Sequence, residues 1–106
     1  MTDLTRAIVQ RSRAVRHETL PGEIRALARQ CVQDTLAVAL AGADDALVGM
    51  LRAELEEAGG APQASVWGSS LRLPAGAAAL LNGTMAHALD YDDVNLAMPG
   101  HPSVAV

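Results

Sequence analysis

The sequence predicts a mainly α-helical fold with one short β-hairpin near residues 64–73. Three observations predict it. Apolar residues recur at three-and-four spacing in successive stretches, the signature of a helix face turned toward a core. Gly and Pro clusters separate those stretches and mark their ends. The apolar content, 50% of 106 residues, is mostly Ala, Leu and Val, with no Phe and a single Trp67 and Tyr91, a makeup suited to helices that approach closely.

The elements follow in order. Asp3 caps a first helix to about Val15, weakly amphipathic through Leu4, Ala7, Ile8, Arg11 and Val15. Pro21-Gly22 punctuates the chain, and Glu23 to Ala41 carries a stripe of Ile24, Leu27, Ala28, Cys31, Thr35, Val38 and Ala39, broadened by Leu36 and Leu40. A helix that becomes apolar nearly all round is expected to be packed on several sides, as a central core helix ending at Gly42. Asp44 and Asp45 suit the start of a third helix, whose buried side is expected to be Leu47, Met50, Leu51, Leu55 and Ala58 before Gly59-Gly60. Residues 64–67 and 71–73 flank Gly68-Ser69-Ser70 and give the hairpin. Pro74 opens an Ala-rich helix to about Asp90, with an apolar band of Ala77, Leu80, Leu81, Thr84, Met85, Ala88 and Leu89. Its small residues predict that another backbone comes close.

A net charge of −4, with eight Arg and no Lys, gives no general attraction to phosphate backbones or anionic membranes, so neither nucleic acid nor membrane is an expected partner. Six of the arginines precede Gln30, but Asp3 and Glu18 interrupt them, which favours a solvated helix face over a targeting peptide. The single Cys31 makes no internal disulfide and there is no secretory start, so a cytoplasmic location is expected. Ser12, Ser65, Ser69, Ser70 and Ser103 lack a nucleophile-elbow pattern. Cys31 lies on an apolar face, where a buried inert thiol is expected, and His17 reads as a surface residue. The glycines do not take either nucleotide-binding spacing.

The informative stretch runs from Asn82 to Asp93. Asp90, Asp92 and Asp93 crowd the expected C-terminal end of a helix, where the dipole disfavours anions. Caps of the next turn or a solvated chain end account for such acids. So does a cation site: His87 and Asp90 share a helix face at i, i+3, and Asp92, Asp93 and His101 add ligand types. Neither a paired-His zinc signature nor a calcium-loop spacing is present, and no metal or other cofactor is expected. General acid–base catalysis is the remaining reading. Asn95, Pro99 and Gly100 between Asp90 and His101 suggest a loop that folds back on the helix end, letting a carboxylate orient an imidazole. On spacing alone, His101 reads as a loop histidine with no task.

These residues carry a resemblance. Asn82-Gly83-Thr84, His87, Asp90-Tyr91-Asp92-Asp93 and His101-Pro102-Ser103 resemble, in order and spacing, the signature of the MmgE/PrpD family. Asp34 to Gly42 is similar to that family's early core helix, and Val66-Trp67-Gly68 to its short extended segment. The family includes 2-methylcitrate dehydratases, cis-aconitate decarboxylases and an iminodisuccinate epimerase, with a large helical domain, a smaller α/β lid and no iron–sulfur cluster, usually as homodimers. The resemblance implies that residues 1–106 are the N-terminal part of a large all-helical domain, with the lid and the remainder absent. It implies an acid–base hydro-lyase acting on a small di- or tricarboxylate, with Asp90 and His101 as catalytic residues and His87 and Asp93 binding substrate or supporting the loop. Tyr91 stands where Phe is common. The downstream His and Lys residues that complete the family's site are missing, and a polycarboxylate beside these acids needs cationic partners, so this chain alone is expected to be inactive. A stand-alone helical assembly module is the alternative function, its uncovered Ala-rich faces packing on another chain.

Overall fold

A computed structural model of the chain describes residues 3–92 and 94. The elements are α1 (Asp3–Ala14), a single 3-10 turn (His17–Thr19), α2 (Gly22–Gly42), α3 (Ala46–Ala58), β1 (Ala64–Ser65), β2 (Arg72–Leu73) and α4 (Ala75–His87). The expected mainly helical fold with a short hairpin is what the chain adopts. No helix among the described residues is long and apolar enough to cross a membrane. The chain divides into two compact units, Met1–Gln30 and Cys31–Val106.

The first unit holds α1, the 3-10 turn and the start of α2. Asp3 falls in the first turn of α1 and Arg11 and Arg13 in its last, which is the favourable order of charge along a helix dipole. No residue of α1 is buried. The connection is tied by backbone carbonyls: the Arg25 guanidinium donates to the carbonyls of His17, at 3.3 Å, and Leu20, at 3.1 Å.

The second unit contains the core. Asp45 caps α3 as its composition predicts, its carboxylate accepting the Leu47 N–H at 2.8 Å. β1 and β2 pair antiparallel, Ala64 opposite Leu73 and Ser65 opposite Arg72. Gly68, at φ +70°, supplies the left-handed residue that the connection between them requires. The Arg72 guanidinium then gathers the Pro62 and Gln63 carbonyls and the Ser65 hydroxyl at 2.9–3.1 Å. Pro74 has no side chain to cap α4, and the Gln63 side chain takes over, accepting the Ala75 N–H at 3.1 Å.

Ala39, Val48, Val66, Leu73, Ala78, Leu81, Met85 and Ala86 form the core, drawn from α2, α3, the hairpin and α4. The expected close backbone approach to α4 exists, and its cause is a glycine on the facing helix. A Cβ on Gly42 would overlap the Met85 carbonyl oxygen, so the end of α2 sits directly on the α4 backbone.

Several faces differ from expectation. α2 is not a helix packed on several sides, since only Ala39 and Gly42 of it are buried. Ile24, Leu27, Leu36, Leu40 and Cys31 are exposed. Three-and-four spacing marks a face that gains from being covered without specifying what covers it. In α3 the buried residue is Val48, while Leu47 and Met50 are exposed and Leu51 and Leu55 pack at the margin. α4 is apolar nearly all round, so its pattern could not select a face; Ala78 and Ala86 go inside while Leu80 stays exposed.

Candidate functional site

α4 ends at His87, one turn short of the expected end at Asp90. Ala88 still donates to the Thr84 carbonyl at 2.9 Å, and then the chain turns, with the Asp90 N–H donating to the His87 carbonyl at 2.9 Å. Asp90 itself is left-handed, at φ 54°. That conformation costs an L-residue about 1–2 kcal/mol, and Asp tolerates it better than most. It is where a helix most often carries Gly, and Asp here keeps a carboxylate on the turn.

The turn sends its acids in opposite directions. Asp90 is exposed, whereas the Asp92 side chain is fully buried. Asp92 Oδ1 lies 3.1 Å from His87 Nδ1, and the His87 side chain is about half exposed, at 53%. One donor atom each from His87, Asp90 and Asp92 lie within 4.8 Å of one another. His87 lies in the last turn of α4.

The expected i, i+3 pairing of His87 and Asp90 on one helix face is therefore replaced by a turn that closes on itself and also brings in Asp92. Asp92 was hard to foresee as a partner of His87, because i, i+5 is not a helix-face spacing. The usable signal was the run of acids at a helix end, which argues that the helix stops before them. Asp93 and His101 lie outside the described residues.

Beside the turn, an open groove of about 390 Å³ runs between Leu47 of α3 and the Leu80, Thr84 and His87 side of α4. Its walls are largely apolar and His87 is the ionisable residue among those lining it. The Thr84 hydroxyl is committed to the Leu80 carbonyl at 2.9 Å.

Asn82, the first residue of the family-like stretch, faces the other way. It is buried, its Oδ1 accepting the Trp67 N–H at 3.0 Å and its Nδ2 donating to the Ser65 carbonyl at 3.1 Å. It pins the hairpin to α4 and takes no part in the His87 turn.

The model of the MmgE/PrpD N-terminal domain matches residues 6–106. The chain belongs to the MmgE/PrpD family. This family is known for enzymes of the dehydratase, hydro-lyase type. Comparisons with curated proteins and with solved structures gave no match. The family match runs from Arg6 in α1 through α4 and covers the whole of the Asn82–Asp92 stretch, so the turn at the end of α4 belongs to the matched domain.

Proposed function

We propose that this MmgE/PrpD domain forms one wall of the active site of a hydro-lyase that moves a proton next to a carboxylate of a small di- or tricarboxylate, 2-methylcitrate being the first substrate to test. Asp90 and His101 are the acid–base residues, and His87 and Asp93 bind substrate or support the loop. The observation that carries this reading is the turn closing α4, which presents the exposed Asp90 carboxylate beside the His87 imidazole; the role of His101 rests on the family resemblance. Elimination of water needs a base at carbon and an acid at oxygen, and a carboxylate and an imidazole supply that pair near neutral pH.

A polyanionic substrate requires cationic partners, and this sequence has no Lys; of its Arg residues, Arg52 is paired with Glu56 and Arg72 is engaged by the hairpin. The reading further includes residues beyond this wall, a soluble cytoplasmic homodimer as the working assembly, and no turnover by residues 1–106 alone. Steady-state dehydration of 2-methylcitrate by the complete enzyme tests it. His101→Ala and Asp90→Asn each lower kcat by about 10²–10⁴-fold on this reading, and wild-type turnover in either variant overturns the assigned role.

A second reading, a helical assembly module without catalysis, draws on the exposed Leu4 and Ile8 of α1, Val15 just after it, and Ile24 and Leu27 of α2. Light scattering on the eluting chain separates the two: a monodisperse monomer at high concentration counts against the module.

A further inference from the structure

We propose that His87 and Asp92 are positioning residues, paired across the end of α4 to hold the turn that presents the Asp90 carboxylate. The inference rests on the acid–base reading of Asp90 and adds to it what keeps that carboxylate in place.

A left-handed residue other than glycine persists only where its surroundings over-determine it. Here the turn is closed twice. The backbone closes it through the Asp90 N–H to the His87 carbonyl, at 2.9 Å. The side chains close it again through His87 Nδ1 and Asp92 Oδ1, at 3.1 Å. Both closures begin at the same residue, the last of the helix, so the rigid end of α4 is the reference against which Asp90 is set.

The choice of a carboxylate at position 92 points the same way. A buried acid beside the negative end of a helix is an expensive anchor. A leucine would fill comparable space without that cost. What a carboxylate can add is direction: when ionised it only accepts, so an imidazole facing it at this distance must bring its Nδ1 proton, which fixes ring orientation and tautomer together. One acid of the turn is spent inward on the imidazole, and the other is held outward, its oxygen within 4.8 Å of both partners.

The decisive experiment is NMR on the labelled chain, with Asp92→Leu, Asp92→Asn and His87→Gln. Long-range proton–nitrogen correlations report which His87 nitrogen carries the proton, and the amide-to-Hα coupling with carbon shifts reports φ at Asp90. The Trp67 amide, bound by Asn82, reports the rest of the fold. Expected for the parent chain is a proton on Nδ1 and positive φ at Asp90. Asp92→Leu loses both while the Trp67 amide stays in place. Asp92→Asn, whose side-chain oxygen still accepts, and His87→Gln, which still donates, retain positive φ. Persistence of positive φ in Asp92→Leu overturns the proposal. So does stoichiometric binding of Mg²⁺ or Zn²⁺ that displaces the Nδ1 proton, because the three groups would then be a cation site. If Asp92→Leu does not fold, loss of positive φ in His87→Gln overturns the donor role by itself.

Kinetics of the complete enzyme separate this from the reading beneath it. Misplacing Asp90 lowers kcat by up to about 100-fold with KM little changed, and Asp92→Asn recovers most of that loss. Full activity in Asp90→Asn removes the acid–base reading and leaves the NMR result standing. An inactive Asp90→Asn with a wild-type Asp92→Leu removes the clasp and leaves the acid–base reading.

Discussion

Asn82 and His87 stand on the same helix five residues apart, both within the stretch that resembles the family signature, and the structure uses them in opposite ways. Asn82 is 8% exposed and spends its amide in both directions on the hairpin backbone. His87 is half exposed, lines the groove and pairs with an acid from the turn that follows. A family-like run of residues therefore mixes groups tied into the fold with groups that line a groove. Their roles separate only when each is traced to its partners.

That contrast breaks most easily at Asn82. Asn82→Ala leaves the Trp67 N–H and the Ser65 carbonyl without their partner in a part-buried seam, at an expected cost of about 2–4 kcal/mol. Urea unfolding followed by Trp67 fluorescence measures it. A loss below about 0.5 kcal/mol would mean that water replaces the amide and the pin is dispensable.

The next largest effect is expected where α2 meets α4. Gly42→Ala places a methyl group against the Met85 carbonyl, and relieving that overlap costs about 1–3 kcal/mol. The added methyl also approaches the Ala88 side chain, which lines the groove beside His87, so a shifted His87 side-chain resonance would show that the strain reaches the groove. Asp45→Ala removes the cap on Leu47 and is worth about 1 kcal/mol. Thermal unfolding compares the two variants, and a larger loss at Asp45 would reverse the order.

The helices and hairpin were legible because their signals are local. Asp45 caps α3, α2 ends at Gly42, and Gly68 turns the hairpin. Which faces are buried was less legible. α4 is apolar around its circumference, and the stripe on α2 is largely exposed at Ile24, Leu27 and Leu40, so periodicity named faces without naming partners. At the candidate site, Asp90 and His87 stood out by residue type and order, but their contact arises from a turn that starts one residue after the helix ends. The sequence suggested a longer helix because Ala88 and Leu89 continue the apolar band; the dipole argument against three acids at its end was the better guide.

His87→Gln is the substitution that sharpens the comparison, since it is expected to do least to stability and most to the turn's chemistry. Glutamine keeps an N–H for Asp92, so the buried carboxylate retains a donor. The pair is also open to water on the His87 side, which limits its worth. The expected loss in unfolding free energy is under about 1 kcal/mol, smaller than at Asn82. The amide cannot accept and release a proton near neutral pH as an imidazole does, and its reach differs from the ring's. If His87 only sets the turn, kcat in the complete enzyme follows the position of Asp90 and stays close to that of Asp92→Asn. If it also exchanges protons with substrate, kcat falls further while φ at Asp90 remains positive. Equal destabilisation in His87→Gln and Asn82→Ala would erase the division between wall and site and make His87 a second structural pin.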